Sequence, residues 1–178
     1  MSVRDELIRQ IPNLRAFAVS LCGNAERADD LVQEALMKAW ASIDMFEAGT
    51  NMRAWLFTIL RNVYYSDFRK KRREVEDADG KMAAHLATHP EQPGHLDMVD
   101  FREALSQLAP DQREALILVG ASGFSYDEAA EICGCAVGTV KSRVNRARSR
   151  LSDLLSLQSG ADYGPDYQSR SVVDARKF

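Results

Sequence analysis

The sequence predicts an all-α protein: two small helical domains joined by a flexible acidic linker, with a helix-turn-helix in the second. Three observations predict it. Apolar residues recur at three-and-four spacing along most of the chain and seldom alternate with period two. Pro and Gly are scarce, 5 and 10 among 178 residues, and fall between the periodic stretches. Near the middle, Glu74 to Val99 breaks the pattern with six acids against the single Lys81, and with Pro90, Pro93, Gly80 and Gly94. The expected organisation is a first domain over 1–73, a linker over 74–99, a second domain over 100–157 and a disordered tail over 158–178.

The first domain opens with two helical stretches, Val3 to Ile11 and Pro12 to Leu21. Leu7, Ile8, Ile11, Leu14, Phe17, Ala18 and Leu21 form one stripe across both. Gly23-Asn24 breaks the chain. The clearest amphipathic helix follows, with Ala28, Leu31, Val32, Ala35, Leu36, Ala39 and Trp40 on its apolar face. Asp30, Gln33, Glu34, Met37 and Lys38 take the other face. Asp44 to Asn51 has loop chemistry, and a long helix then ends in five consecutive cations, Arg69 to Arg73. In the second domain FREALSQL leads to Pro110, which opens DQREALILVGASG. Ser125 and Glu128 have capping-box spacing at the head of a short helix, and Gly134 supplies the turn after it.

Val137 to Arg150 carries Lys141, Arg143, Arg146, Arg148 and Arg150 and no acid, in a chain of net charge -3. On a helical wheel Val137, Val140, Val144, Ala147 and Leu151 share one stripe. The opposite face presents Gly138, Thr139, Ser142, Asn145, Arg146 and Ser149, with the other cations on its two shoulders. Such a helix, about 20 Å long, fits a DNA major groove: shoulder cations meet the phosphates and the small polar face meets base edges. Five neutralised phosphates give a salt slope of log K of roughly -4 to -5. A solvated surface helix would interleave its cations with Glu. With the short helix and turn before it, Ala136 to Arg150 reads as the recognition helix of a helix-turn-helix.

The composition excludes other classes. No apolar run approaches the roughly 20 residues of a membrane span, and MSVRDELIRQIP has no apolar signal-peptide core. Three sparse cysteines, Cys22, Cys133 and Cys135, suit a reducing cytoplasm. Cys133 and Cys135 read as a helix end and a turn. His85, His89 and His95 have no acid or Cys to complete a metal site. No catalytic residue, metal or cofactor is expected. In the first domain, NMRAWLFTILRNVYYSDFRKKRR mixes aromatics with cations, a pairing that stacks unpaired bases while holding their backbone. Trp55 has core spacing, whereas Arg61 and Tyr65 are better placed for exposure.

DDLVQEALMKAW, AGTNMRAWLFTILRN and SYDEAAEICGCAVGTVKSRVNRARSRL, in that order over about Ile11 to Leu155, resemble the extracytoplasmic-function group of bacterial sigma-70 family sigma factors. The first two resemble its sigma-2 domain and the last its sigma-4 domain. GTNMRAWLFTILRN and REALILVGASGFSYDEAAEICGCAVGTVKSRVNRAR resemble most the general-stress-response subgroup of alphaproteobacteria.

The resemblance implies roles. Asp30, Gln33 and Glu34 would dock on the β′ clamp helices of core RNA polymerase, whose β flap is a further expected contact. The -10 element, with a base flipped from the non-template strand, would be met by Phe46, Asn51, Arg53, Arg61, Asn62, Tyr65, Arg69 and Lys70. The -35 element would be read by Thr139, Lys141, Ser142, Arg143, Asn145, Arg146 and Arg148, with Arg146 the best bidentate reader of a guanine. Some relatives have a bulky apolar residue where this chain has Asn145, a departure that bears on base preference there. The acidic linker takes the place of the absent sigma-3 domain, either as a nucleic-acid mimic in a basic channel or as a solvated tether.

Promoter DNA, core polymerase and an anti-sigma factor are therefore the expected partners, and the cytoplasm the expected location. The anti-sigma would be a small helical protein, stripped away by a sigma-like response regulator. Two rivals stand beside this reading. One is a stand-alone helix-turn-helix regulator that binds duplex DNA without polymerase. The other is a sigma-like decoy that titrates an anti-sigma.

Overall fold

The structure, a computed structural model, describes residues 3–47, 49–77 and 93–155. Those residues form seven α-helices and contain no strand. In the first half α1 (Val3–Cys22), α2 (Ala25–Ala41) and α3 (Met52–Asp77) pack on one another. Asn24 caps α2 by accepting the Arg27 N–H at 2.8 Å. A 3-10 turn, Ile43–Met45, follows α2. Leu14, Phe17, Leu31, Ala35, Leu56, Phe57 and Leu60 fill the core between the three helices, and Phe17 stacks on Phe57 with ring centres 4.8 Å apart.

Two expectations for this half change. Pro12 does not separate two helices but sits inside one continuous α1. Proline removes one backbone bond, here to the Ile8 carbonyl. Pro12 and Ile8 are both exposed, so the lost bond falls on the solvent side of α1. Ile8 and Trp40, expected on the apolar stripes, are 51% and 58% exposed.

In the second half α4 (Pro93–Ser106) packs on α7 (Val137–Leu154), burying Ala104, Leu108, Ala147 and Leu151 together. α5 (Pro110–Leu116) continues into a π-helical turn, Ile117–Ala121. α6 (Tyr126–Cys133) starts at the expected capping box: Ser125 Oγ accepts the Glu128 N–H at 3.2 Å, and Glu128 Oε2 accepts the Ser125 N–H at 2.9 Å. Gly134 ends α6 at φ +63°, the left-handed region where glycine is favoured, and turns the chain into α7. The expected helix-turn-helix is thus present as α6, Gly134 and α7. Val140, Val144 and Ala147 have no exposed surface, in keeping with the predicted stripe.

The stretch expected as linker, 74–99, is helical at both ends. No Pro or Gly stands between Arg73 and Asp77, so α3 runs on. Pro93 suits the first position of a helix, so α4 starts seven residues before Asp100. Residues 78–92, with His85 and His89, and the expected tail lie outside the described residues.

The two halves share a core. The π-helical turn and Gly123, at φ +72°, deliver Phe124 onto Phe57, ring centres 4.9 Å apart and edge to face. Phe124 is only 4% exposed. Around that plug lies a polar rim. Arg113 Nη1 donates to the Leu21 carbonyl at 2.9 Å, where the Tyr64 hydroxyl also donates at 3.3 Å.

Candidate functional site

The exposed face of α7 is built by the residues that cannot pack. Thr139, Lys141, Asn145, Arg146 and Arg148 are exposed, and Ser142 and Arg143 are half-buried. Two cations of this helix have protein neighbours. Lys141 Nζ lies 5.7 Å from the centre of the Tyr126 ring. Arg143 Nε lies 3.0 Å from Asp111 Oδ2, and its Nη1 donates to Cys135 Sγ at 3.7 Å. α7 has no acid before Asp153, yet α5 lends Asp111 to one shoulder. Burial pushes the nearby Cys133 thiol up to about 12, so it remains a neutral thiol in the wall of α6.

Asp30, Gln33 and Glu34 lie exposed on one face of α2, with Glu34 paired to Lys38 at 2.7 Å. Beside them the surface turns apolar. Met37 is 67% exposed, and with Trp40, Leu36 and Ile11 it lines a shallow groove of about 590 Å³ that Gln33 also borders. Sequence reasoning missed this apolar component because period alone assigned Trp40 to the core. A methionine on an otherwise polar face was the available signal.

The residues assigned to single-stranded DNA divide in two. Asn62, Arg69 and Lys70 are exposed along α3. Phe46 packs on Trp55, ring centres 5.1 Å apart. Asn51, Arg53, Arg61 and Tyr65 instead meet the second half of the chain. Asn51 Nδ2 donates to Glu128 Oε1 at 2.8 Å. Arg53 donates to the Ser122 carbonyl and lies over the Phe124 ring, 4.5 Å from its centre. Arg61 Nε is 2.6 Å from Glu114 Oε1, and the Tyr65 hydroxyl donates to Glu114 Oε2 at 3.1 Å. Glu114 has no exposed surface. Its burial pushes its carboxyl above the ordinary range, opposed by Arg61 and by the Tyr65 hydrogen bond. Burial beside that carboxylate pushes the Tyr65 phenol up as well.

Two family profiles match: Sigma-70 region 2 over residues 7–74 and Sigma-70 region 4 over residues 98–151. The sequence is 63% identical over 172 residues to the extracytoplasmic-function RNA polymerase sigma factor EcfG of Rhodopseudomonas palustris. That match covers 97% of this chain and 95% of the relative. The chain belongs to the extracytoplasmic-function sigma factors of the sigma-70 family.

More distant members agree. The sigma factor SigC of Mycobacterium tuberculosis is 38% identical over 134 residues, 75% of this chain and 72% of the relative. Among solved structures, the sigma factor RpoE of Bartonella quintana, crystallised with the anti-sigma factor NepR, superposes with a TM-score of 0.80 at 58% identity. It covers 88% of this chain and 98% of that one. In this sigma factor region 2 is the α1–α3 half and region 4 the α4–α7 half. The helix-turn-helix, α6 to α7, therefore lies inside region 4.

Proposed function

We propose that this sigma factor directs core RNA polymerase to promoters with -10 and -35 elements, assists their melting, and serves a general stress response under an anti-sigma factor. The observation that carries this reading is the exposed, acid-free stretch of α7 behind a complete helix-turn-helix, in a chain that also holds region 2. A stand-alone regulator has no need of region 2.

Residues 1–73 dock on core and meet the -10 element, 74–99 tether, and 100–157 read the -35 element. Asp30, Gln33 and Glu34 contact the β′ clamp helices. Phe46, Asn51, Arg53, Arg61, Asn62, Tyr65, Arg69 and Lys70 hold the -10 strand by stacking and by charge. Thr139, Ser142, Asn145 and Arg146 face the bases, and Lys141, Arg143 and Arg148 the phosphates. The chain supplies recognition and the polymerase supplies catalysis, in the cytoplasm. Among the described residues no helix is long and apolar enough to cross a membrane.

The likeness to the Bartonella quintana factor held by NepR supports a small helical anti-sigma as the controlling partner, released by a sigma-like response regulator. Mixing the chain with core polymerase on a sizing column tests the docking. Co-elution that weakens when Gln33 and Glu34 are both changed to Ala supports it. Separate elution at micromolar concentrations supports the stand-alone regulator.

A further inference from the structure

We propose that Phe68 is a further base-stacking residue of region 2: its ring holds one unpaired base of the melted -10 strand while the cations beside it hold that strand's phosphates. This role rests on the assignment of the chain as a sigma factor that meets a melted -10 element.

Among the described residues two aromatic side chains are exposed, Trp40 at 58% and Phe68 at 41%. Their surroundings differ in sign. Trp40 shares α2 with Asp30 and Glu34 and borders a groove that Asp29 also lines. Phe68 stands at the head of Arg69, Lys70, Lys71, Arg72 and Arg73, all of them exposed. From Tyr64 to Arg73 the single acid is Asp67, and it is held by Arg27 at 2.7 Å and by Lys71 at 3.2 Å. An exposed ring inside an excess of positive charge suits a partner that is polyanionic and also offers flat apolar faces. Unpaired nucleic acid has both.

The two aromatics already assigned to the strand are engaged within the protein. Phe46 packs on Trp55. Tyr65 donates to Glu114, and Arg61 lies over its ring, 4.8 Å from the centre. The ring neighbour of Phe68 is Tyr64, centres 6.3 Å apart. Tyr64 is 5% exposed and donates to the Leu21 carbonyl at 3.3 Å, so the support behind Phe68 is fixed. Residues three and four apart are neighbours on a helix surface, which sets Lys71 and Arg72 beside the ring. Arg69 and Lys70, already assigned to the strand, follow Phe68 directly, so a strand that they hold lies within reach of it.

The test uses the full chain bound to core polymerase and a labelled single-stranded -10 oligonucleotide, read by fluorescence anisotropy. Phe68→Ala should weaken binding about 5- to 150-fold, the loss of one stacked base, and Phe68→Trp should keep it. Oligonucleotides that each lack one base, with the sugar-phosphate chain intact, locate the contact. At one position the loss from Phe68→Ala should vanish, because the base it stacks is already gone. Lys70→Ala, which removes a phosphate contact, should weaken every oligonucleotide alike. Helical content and co-elution with core should be unchanged in Phe68→Ala. Unchanged affinity in Phe68→Ala, or a loss equal at every missing base, would overturn the stacking role. So would weaker association with core, which would make Phe68 a protein contact. A wild-type complex that does not bind the oligonucleotide would overturn the proposed function itself, and the Phe68 role with it.

Discussion

Arg61 and Glu114 face each other across the join between region 2 and region 4, Nε 2.6 Å from Oε1, one partner 21% exposed and the other not at all. Fifty-three positions apart in sequence, they place a strand-binding candidate of α3 against an acid of α5. The pair sits at the polar rim of the core that the two halves share.

That pair gives a pH dependence with a defined sign. Burial raises the Glu114 carboxyl above its ordinary 4.5, so the closed packing binds a proton more tightly than an open chain does. Closure is therefore favoured as pH falls from neutral toward 4.5. The groups facing Glu114 are Arg61 and Tyr65 on α3, Cys133 on α6 and Arg143 on α7. Tyr65 and Cys133 are both pushed up, away from this window. Glu128 at the rim is held below its ordinary value by its bonds with the Ser125 backbone and side chain, so it stays ionised. Scattering at mildly acid pH should show a more compact chain than at neutral pH. The difference should vanish in Glu114→Gln, and expansion on acidification would contradict the sign.

Arg146→Ala should weaken promoter binding by about 1–3 kcal/mol, roughly a 5- to 150-fold loss, and relax preference at one base pair. Arg146 is exposed on α7, so thermal stability should hardly move. Arg148→Ala should instead reduce the salt slope by about 1 and leave sequence preference intact. Binding isotherms of the polymerase complex at several salt concentrations separate the two.

On α2, Trp40→Ala should weaken association with core by about 2 kcal/mol or more, because an exposed tryptophan beside polar contacts has the makings of an interface anchor. Gln33→Ala should cost less. Titration of labelled chain with core polymerase gives both numbers, and an unchanged affinity for Trp40→Ala would place Trp40 outside the contact.

Ser125→Ala removes the side-chain half of the α6 capping box and should destabilise the fold by about 0.5–2 kcal/mol in urea. Glu128→Ala should do more, because Glu128 also accepts from Asn51 of the other half. If the two substitutions cost the same, the Asn51 contact adds nothing to stability.

Much of this was readable in the sequence because local chemistry decides it. The stripe of Val140, Val144 and Ala147, the Ser125–Glu128 box and the Gly134 turn each follow from spacing within one element. What was not readable depended on distant partners. Glu114 looks like any surface acid of a helix until α3 covers it. Phe124 follows Gly123 in an apparent loop, and only the π-helical turn aims it at Phe57. Trp40 fits the apolar period of α2 yet is exposed beside a groove that Leu7 and Ile11 of α1 also line, which periodicity within one helix does not show. The end of α3 is the opposite case: acidic composition suggests a break after Arg73, while the residues as far as Asp77 hold nothing that breaks a helix.

The central claim is that this chain makes core polymerase initiate at promoters it reads itself. Run-off transcription tests it most directly, using core enzyme and a template with the -35 GGAAC and -10 GTT elements that the resemblance to the general-stress-response subgroup implies. The account predicts a transcript that requires the chain and fails with Arg146→Ala. Chain-independent initiation, or no transcript from a chain that also fails to bind core, would contradict it.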